Sequence, residues 1–314
     1  MPRLRRLTTA LVAALAMAAG TAGCGSATDP GPATASGDPA RCPGPVLDVV
    51  VSVGQWGQVV GPLAGPCATV TTVLTSSAVD PHEYEPTTGD LAALQEADLV
   101  VVNGAGYDVW AQRAVTDLSG GPAVVAAADV ARAAGDPLAD PHLWYSPALV
   151  PRVAAAVTAR LTALAPRDAG VFTEQAAALS LALQHYDAAL AALRPLAGRH
   201  SYAATETVFD RTAGALGLTD RTPPGYRRAV SNDSDPAPGD VAAFEQALRD
   251  GAVDVLVVNT QTEGNLPREL VAAAGRGGVP VVRVTESPPP GTTSFVGWQS
   301  AQLDQLAAAL GQAR

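Results

Sequence analysis

Lysine is absent from this chain, and its basic side chains are arginines and four histidines. Lys and Arg together number 20 against 30 Asp and Glu, a formal net charge of −10. Binding to a phosphate backbone needs a basic face, so nucleic acid is excluded as a partner. An acidic balance is compatible with cations without demanding them. Aromatic residues are scarce, 4% of a chain that is 47% hydrophobic, so the core must be built mainly from Ala, Val and Leu. Past the N-terminus, no run approaches the roughly 20 apolar residues of a membrane helix. HExxH and GxSxG are missing, and no nucleophile stands with an evident base. Cysteine is nearly absent too, with three in 314 residues.

What is present begins at the N-terminus. "MPRLRR" is a basic head, Leu7 to Gly20 an apolar run, and "TAGC" places small residues ahead of Cys24. This is the layout of a secretory signal over residues 1–23. Its ending resembles a bacterial lipobox, with Thr21 where Leu is more usual and Cys24 as the lipidated residue. The mature chain is then expected outside the cytoplasm, held to the cell membrane by that anchor. "GSATDPGPATASGDPA" lacks apolar periodicity and reads as a flexible tether, with the linker taken as 24–45. Cys42 and Cys67 remain. An exported chain meets an oxidising environment, so an even pair suggests a disulfide. Each precedes a candidate strand, and parallel neighbouring strands would bring them together; two free thiols are the alternative.

Strand and helix patterns then alternate, which argues for parallel sheets covered by helices. Strands are expected at Val46 to Val53, Cys67 to Leu74, Asp98 to Gly104 and along "PAVVAAADV". Helices are expected at Asp90 to Ala97, with Thr87 and Asp90 spaced as a capping box, and at Val109 to Leu118. Val150, Val153, Val157, Leu161 and Leu164 recur at helical spacing. A longer helix runs from Ala169 to about Leu193. Beyond it the alternation resumes: strand "SYAAT", a helix ended by Gly217, a long polar loop "TPPGYRRAVSNDSDPAPGD", a helix capped by Asp240, strand "VDVLVVN", a helix from Arg268 to Gly275, strand Val279 to Glu286 and a closing helix "FVGWQSAQLDQLAAAL". The expected organisation is α/β: a lobe over 46–166, a connecting helix over 167–197 and a second lobe over 198–314.

Ligands of such sheets bind outside the carboxyl ends of the strands. His82 lies in "DPHEYEP" after the second strand, and His142 in "DPHLWYSP" after the fourth. Glu206 follows "SYAAT", and Glu286 ends "VVRVTE". Two metal-capable side chains on each lobe would thus meet across a cleft. Asp80 and Asp140 precede the histidines in matching frames and could orient an imidazole N–H, as metal-bound histidines require; they could equally be turn formers. Glu83 and Glu85 read as solvated bystanders, and His185 as a surface or interface residue.

From about Val46 to Leu310 the chain resembles the metal-binding substrate-binding proteins of ABC importers that take up zinc, manganese or iron. "DPHEYEPT" and "DPHLWYSP" resemble the first two ligand motifs, "YAATETVFDRTAGALGL" the third, and "VPVVRVTESPPPGTTSFVGWQ" the segment that supplies an acidic fourth ligand. The resemblance implies two (βα) lobes joined by one long helix, a metal held between them by His82, His142, Glu206 and Glu286, and a membrane permease and ATPase as partners of a monomeric, non-enzymatic protein. Glu206 stands where zinc-dedicated members usually carry His, and a His-rich loop is missing, so Zn²⁺ and Mn²⁺ both remain open as the transported ion. An exported metal-dependent hydrolase and a surface adhesin are the alternatives.

Overall fold

The computed structural model describes residues 32–75, 79, 81, 84–118, 120–232, 234–262 and 264–313. The expected signal segment, Cys24, Asp80 and His82 lie outside the described residues.

The N-terminal lobe is a five-stranded sheet. Strands β1 (Ala33–Ala35), β2 (Leu47–Val53), β3 (Ala68–Leu74), β4 (Leu99–Val102) and β5 (Ala123–Ala126) lie in the order β1-β3-β2-β4-β5. All pairings are parallel except β1 with β3, which is antiparallel. Its helices are α1 (Gly54–Ala64), α2 (Thr88–Glu96), α3 (Val109–Asp117), α4 (Ala127–Ala133) and α5 (Val150–Leu164). The helix α6 (Ala169–Ala197) then leads to the second lobe. There, β6 (Ser201–Ala204), α7 (Asp210–Leu216), β7 (Thr219–Asp220), α8 (Pro224–Val230), α9 (Pro238–Arg249), β8 (Val255–Asn259), α10 (Leu266–Gly277), β9 (Val281–Val284) and α11 (Phe295–Leu310) build an all-parallel sheet ordered β7-β6-β8-β9.

Val49–Val51 of β2 and Val255–Val258 of β8 are buried and apolar on both faces because helices cover both sides. The Thr87–Asp90 capping box is formed, with both reciprocal hydrogen bonds present. Gly217 ends α7 in the left-handed conformation, φ 79°.

Several expectations are corrected. The tether does not extend to residue 45: Ala33–Ala35 pairs with β3, Asp38 N–H donates to Pro66 O at 2.7 Å, and Gly37 N–H to Thr69 Oγ1 at 3.2 Å. An edge strand presents unpaired amides and carbonyls, and this polar segment satisfies them although it buries none of its own strand residues. Helix α1 carries no clear signal because it contains Gly54, Gly57, Gly61 and Pro62, all poor helix residues. Tertiary packing overrides that propensity: Trp56, Val59, Val60 and Leu63 are fully buried. Gly57 is needed for close approach, since a Cβ there would lie 2.5 Å from Thr72 Oγ1. "PAVVAAADV" switches from strand to helix at Ala127. The polar loop contains α8, and α9 starts at Pro238, so Asp240 stands in its first turn rather than at its cap.

Cys42 and Cys67 are joined, with Cα atoms 5.2 Å apart. The register that pairs Leu47 with Ala68 brings their neighbourhoods together. Helix α6 packs on α1 and α5 of one lobe and on α7 and α11 of the other. One buried apolar cluster therefore runs from Val49 and Trp56 through Phe172, Leu183 and Leu190 to Tyr202, Val257 and Leu306. The lobes share a core as well as a linker. No described helix is long and apolar enough to cross a membrane.

Candidate metal centre

The carboxyl ends of both sheets face the same cleft. In the second lobe β8 lies between β6 and β9. Glu206 follows the end of β6, Glu286 follows the end of β9, and Asn259 is the last residue of β8. Adjacent strands lie about 4.8 Å apart, so a side chain at the tip of the middle strand can reach both neighbours. Asn259 does so: its Nδ2 donates to Glu206 Oε2 at 2.6 Å and lies 3.4 Å from Glu286 Oε2. Thr262 Oγ1 donates to the other oxygen of Glu206.

From the N-terminal lobe comes His142. It does not directly follow the fourth parallel strand, as the sequence pattern implied, because α4 intervenes. Its loop is fixed by contacts instead. Asn103 Nδ2 donates to Pro141 O at 2.9 Å, and Leu143, Trp144 and Tyr145 beyond it are buried. The imidazole Nδ1 is 2.9 Å from Asp140 Oδ1, which also accepts the His142 backbone N–H at 2.7 Å. An acceptor at Nδ1 assigns the proton there and leaves Nε2 as the free lone pair of the neutral ring. Nε2 is 3.8 Å from Glu286 Oε1. Asp140 thus holds the ring through this hydrogen bond, and Asp140 in turn lies beside Arg211.

Burial opposes charge on His142, but the Asp140 hydrogen bond and the charges of Asp140, Glu286 and Glu206 outweigh it and raise its pKa above the usual histidine value. Burial pushes Glu206 above the ordinary carboxylate range, and the neighbouring Glu286 adds to this, while Thr262 and Asn259 offset part of it. Asp140 is held below its usual value despite burial, through its hydrogen bond to His142 and the charges of His142 and Arg211. The His142 imidazole and the Glu206 carboxyl thus favour retaining protons, and a divalent cation could take the place of those protons.

The structure thus brings His142, Glu206 and Glu286 together, with Asp140 behind the imidazole. Glu85 and His185 are exposed and take no part. Other contributors were not marked by the sequence, Thr262 among them. The buried Tyr107 donates to Glu286 Oε1 at 2.7 Å and accepts from Gln55 Nε2 at 2.8 Å. Asn259 joins the two glutamates, and Arg211 fixes the loop that carries His142. A polar residue at the end of an expected strand was the only available signal, and it singles out Asn259 alone. The sulfurs of Cys42 and Cys67 approach Asp168, but they are bonded to each other.

Two parallel-sheet lobes joined by a single long helix, with an imidazole and two carboxylates facing one another across the cleft, define a helix-linked two-lobed solute-binding protein. The chain belongs to the ZnuA family, zinc-uptake complex component A, periplasmic, whose model matches residues 49–309. It is 24% identical over 201 residues to the high-affinity zinc uptake system protein ZnuA of Bacillus subtilis, a match covering 59% of this chain and 62% of the relative. Over 73 residues it is 38% identical to the manganese-binding lipoprotein MntA of Halalkalibacterium halodurans, 23% of this chain and 24% of that one. Both matches span less than two thirds of the relative's length. The fold is similar to that of the periplasmic zinc-binding protein TroA of Treponema pallidum, with a TM-score of 0.72 at 23% identity over 86% of this chain and 100% of the other.

Proposed function

We propose that the protein is an extracytoplasmic solute-binding lipoprotein that captures a divalent transition metal, Zn²⁺ or Mn²⁺, and delivers it to an ABC importer. The observation that carries this reading is the convergence of buried His142 with Glu206 and Glu286 from opposite lobes. In the proposed site His142 Nε2, Glu206, Glu286 and His82 hold the ion. Two neutral imidazoles and two carboxylates balance its charge, which suits a partly buried cleft. Four protein donors leave no open position for an activated water, which favours a carrier over a hydrolase. Asp80 is proposed to serve His82 as Asp140 serves His142. Lipidation at Cys24 would tether a monomeric body beside the membrane permease and ATPase.

The test is thermal unfolding of metal-free mature protein with and without Zn²⁺ or Mn²⁺, since a ligand that binds only the folded state raises the midpoint. Both ions are expected to raise it. His82→Ala and His142→Ala should each abolish the shift, and His185→Ala should keep it. No shift with either metal, or equal behaviour of the three variants, would refute the assignment.

A further inference from the structure

We infer that Asn259 sets metal selectivity by clamping Glu206 and Glu286 to each other, restricting how many carboxylate oxygens the site offers and favouring Zn²⁺ over Mn²⁺; this rests on the metal-carrier reading above. The clamp is built rather than incidental. Asn259 is 4% exposed at the tip of the central strand. Its backbone N–H donates to Thr205 Oγ1 at 3.1 Å, and its Oδ1 accepts the backbone N–H of Gln261 at 3.1 Å. With the amide oxygen committed to an N–H donor, the two protons of Nδ2 must face the cleft. There they meet Glu206 Oε2 at 2.6 Å and Glu286 Oε2 at 3.4 Å. The remaining oxygens are engaged as well, Glu206 Oε1 by Thr262 Oγ1 and Glu286 Oε1 by Tyr107 OH at 2.7 Å. Each oxygen of Glu206 and Glu286 therefore already accepts a hydrogen bond.

Each oxygen held in this way keeps one lone pair for a metal at a fixed angle, and the carboxylate cannot turn to chelate a single ion through both oxygens without breaking a hydrogen bond. Zn²⁺ is satisfied by four donors, whereas Mn²⁺ favours six, mostly oxygen. The restraint therefore costs Mn²⁺ more than Zn²⁺. It also means that the presence of Glu206 in place of a histidine does not by itself make the site a manganese site.

The experiment is competition titration of metal-free mature protein with Zn²⁺ and Mn²⁺, for the parent, Asn259→Ala and Thr262→Val. For Asn259→Ala the ratio Kd(Mn)/Kd(Zn) is expected to fall by about tenfold or more, the size of effect that loss of a group supporting a metal ligand usually has. Thr262→Val releases only one oxygen of Glu206 and should move the ratio the same way by less; it carries the test should Asn259→Ala fail to fold. Zn K-edge absorption gives an independent readout, with about four donors in the parent and more in Asn259→Ala. Equal weakening of both ions, or a ratio that rises, overturns the inference while leaving the carrier reading intact. Binding of neither ion by the parent overturns that reading, and this inference with it.

Discussion

Arg211 of the second lobe holds Asp136 of the first: Nη1 lies 2.6 Å from Oδ2 and Nη2 3.2 Å from Oδ1. The same guanidinium donates through Nη2 to the carbonyl of Asp140 at 2.5 Å, two residues before His142. One side chain thus ties the lobes together and steadies the loop that presents the imidazole. The planar fork of arginine suits this double role, and a lysine could not reproduce it.

Arg211→Met would leave the part-buried Asp136 and Asp140 without their cation. Breaking a partly buried pair of this kind should lower unfolding stability by about 2 kcal/mol. Adding Asp136→Asn should recover part of that loss, because it removes one stranded charge. Chemical denaturation of the single and double variants measures both values, and strictly additive losses would argue against the coupling.

The pH dependence has a definite sign. His142 and Glu206 have raised pKa values, and Asp210, buried beside Arg227, is pushed up to about 6. Such groups hold protons more tightly in the folded chain than in the unfolded one. Their contribution is fully present below the ordinary values of 6.5 for His142 and 4.5 for Glu206, and it is lost as pH rises through the folded values. Asp136 and Asp140, with lowered values, act oppositely, and only below their usual 3.8. The Tm of metal-free protein should therefore fall as pH is raised from about 5 to about 8, and saturating Zn²⁺ should flatten the slope in part, because metal replaces the protons of His142 and Glu206 but not that of Asp210. Scanning calorimetry in chelator and in Zn²⁺ checks this, and a metal-free Tm that climbs over the interval contradicts it.

Tyr107→Phe removes the hydroxyl that donates to Glu286 while preserving the buried ring. Metal affinity is expected to fall about tenfold, in the range typical of groups that support a metal ligand. A chromophoric chelator competition gives the value. An unchanged Kd would mean that the hydroxyl serves only packing.

The disulfide lies at the amino ends of β2 and β3, and the site lies at the carboxyl ends, about 20 Å away along seven-residue strands. Replacing Cys42 and Cys67 by serine should cost about 3 kcal/mol by releasing a loop of this size in the unfolded chain. Metal affinity at a temperature where both forms are folded should not change. A parallel loss of affinity would reveal coupling along the sheet.

Local order was written plainly in the chain. Hydrophobic periodicity and caps act over a few residues, so β2, β8, the Thr87–Asp90 box and the closing helix Phe295–Leu310 could be read directly. The ends of the expected strands also pointed to Glu206 and Glu286, because strand ends are where such sheets bind ligands. Helix α1 could not be read, since its glycines and proline contradict its packing, and neither could the pairing of Ala33–Ala35 with β3, which depends on an unfilled sheet edge.

The sequence by itself thus determined the alternating elements, the two-lobe α/β plan and the acids and histidine that could face the cleft, because each leaves a signature within its own neighbourhood. Only the tertiary structure decided that Tyr107, Asn259 and Arg211 belong to the same centre. Their partners are up to 179 residues away in the chain, and contacts over such separations arise from strand order and shared core packing, which no local pattern encodes.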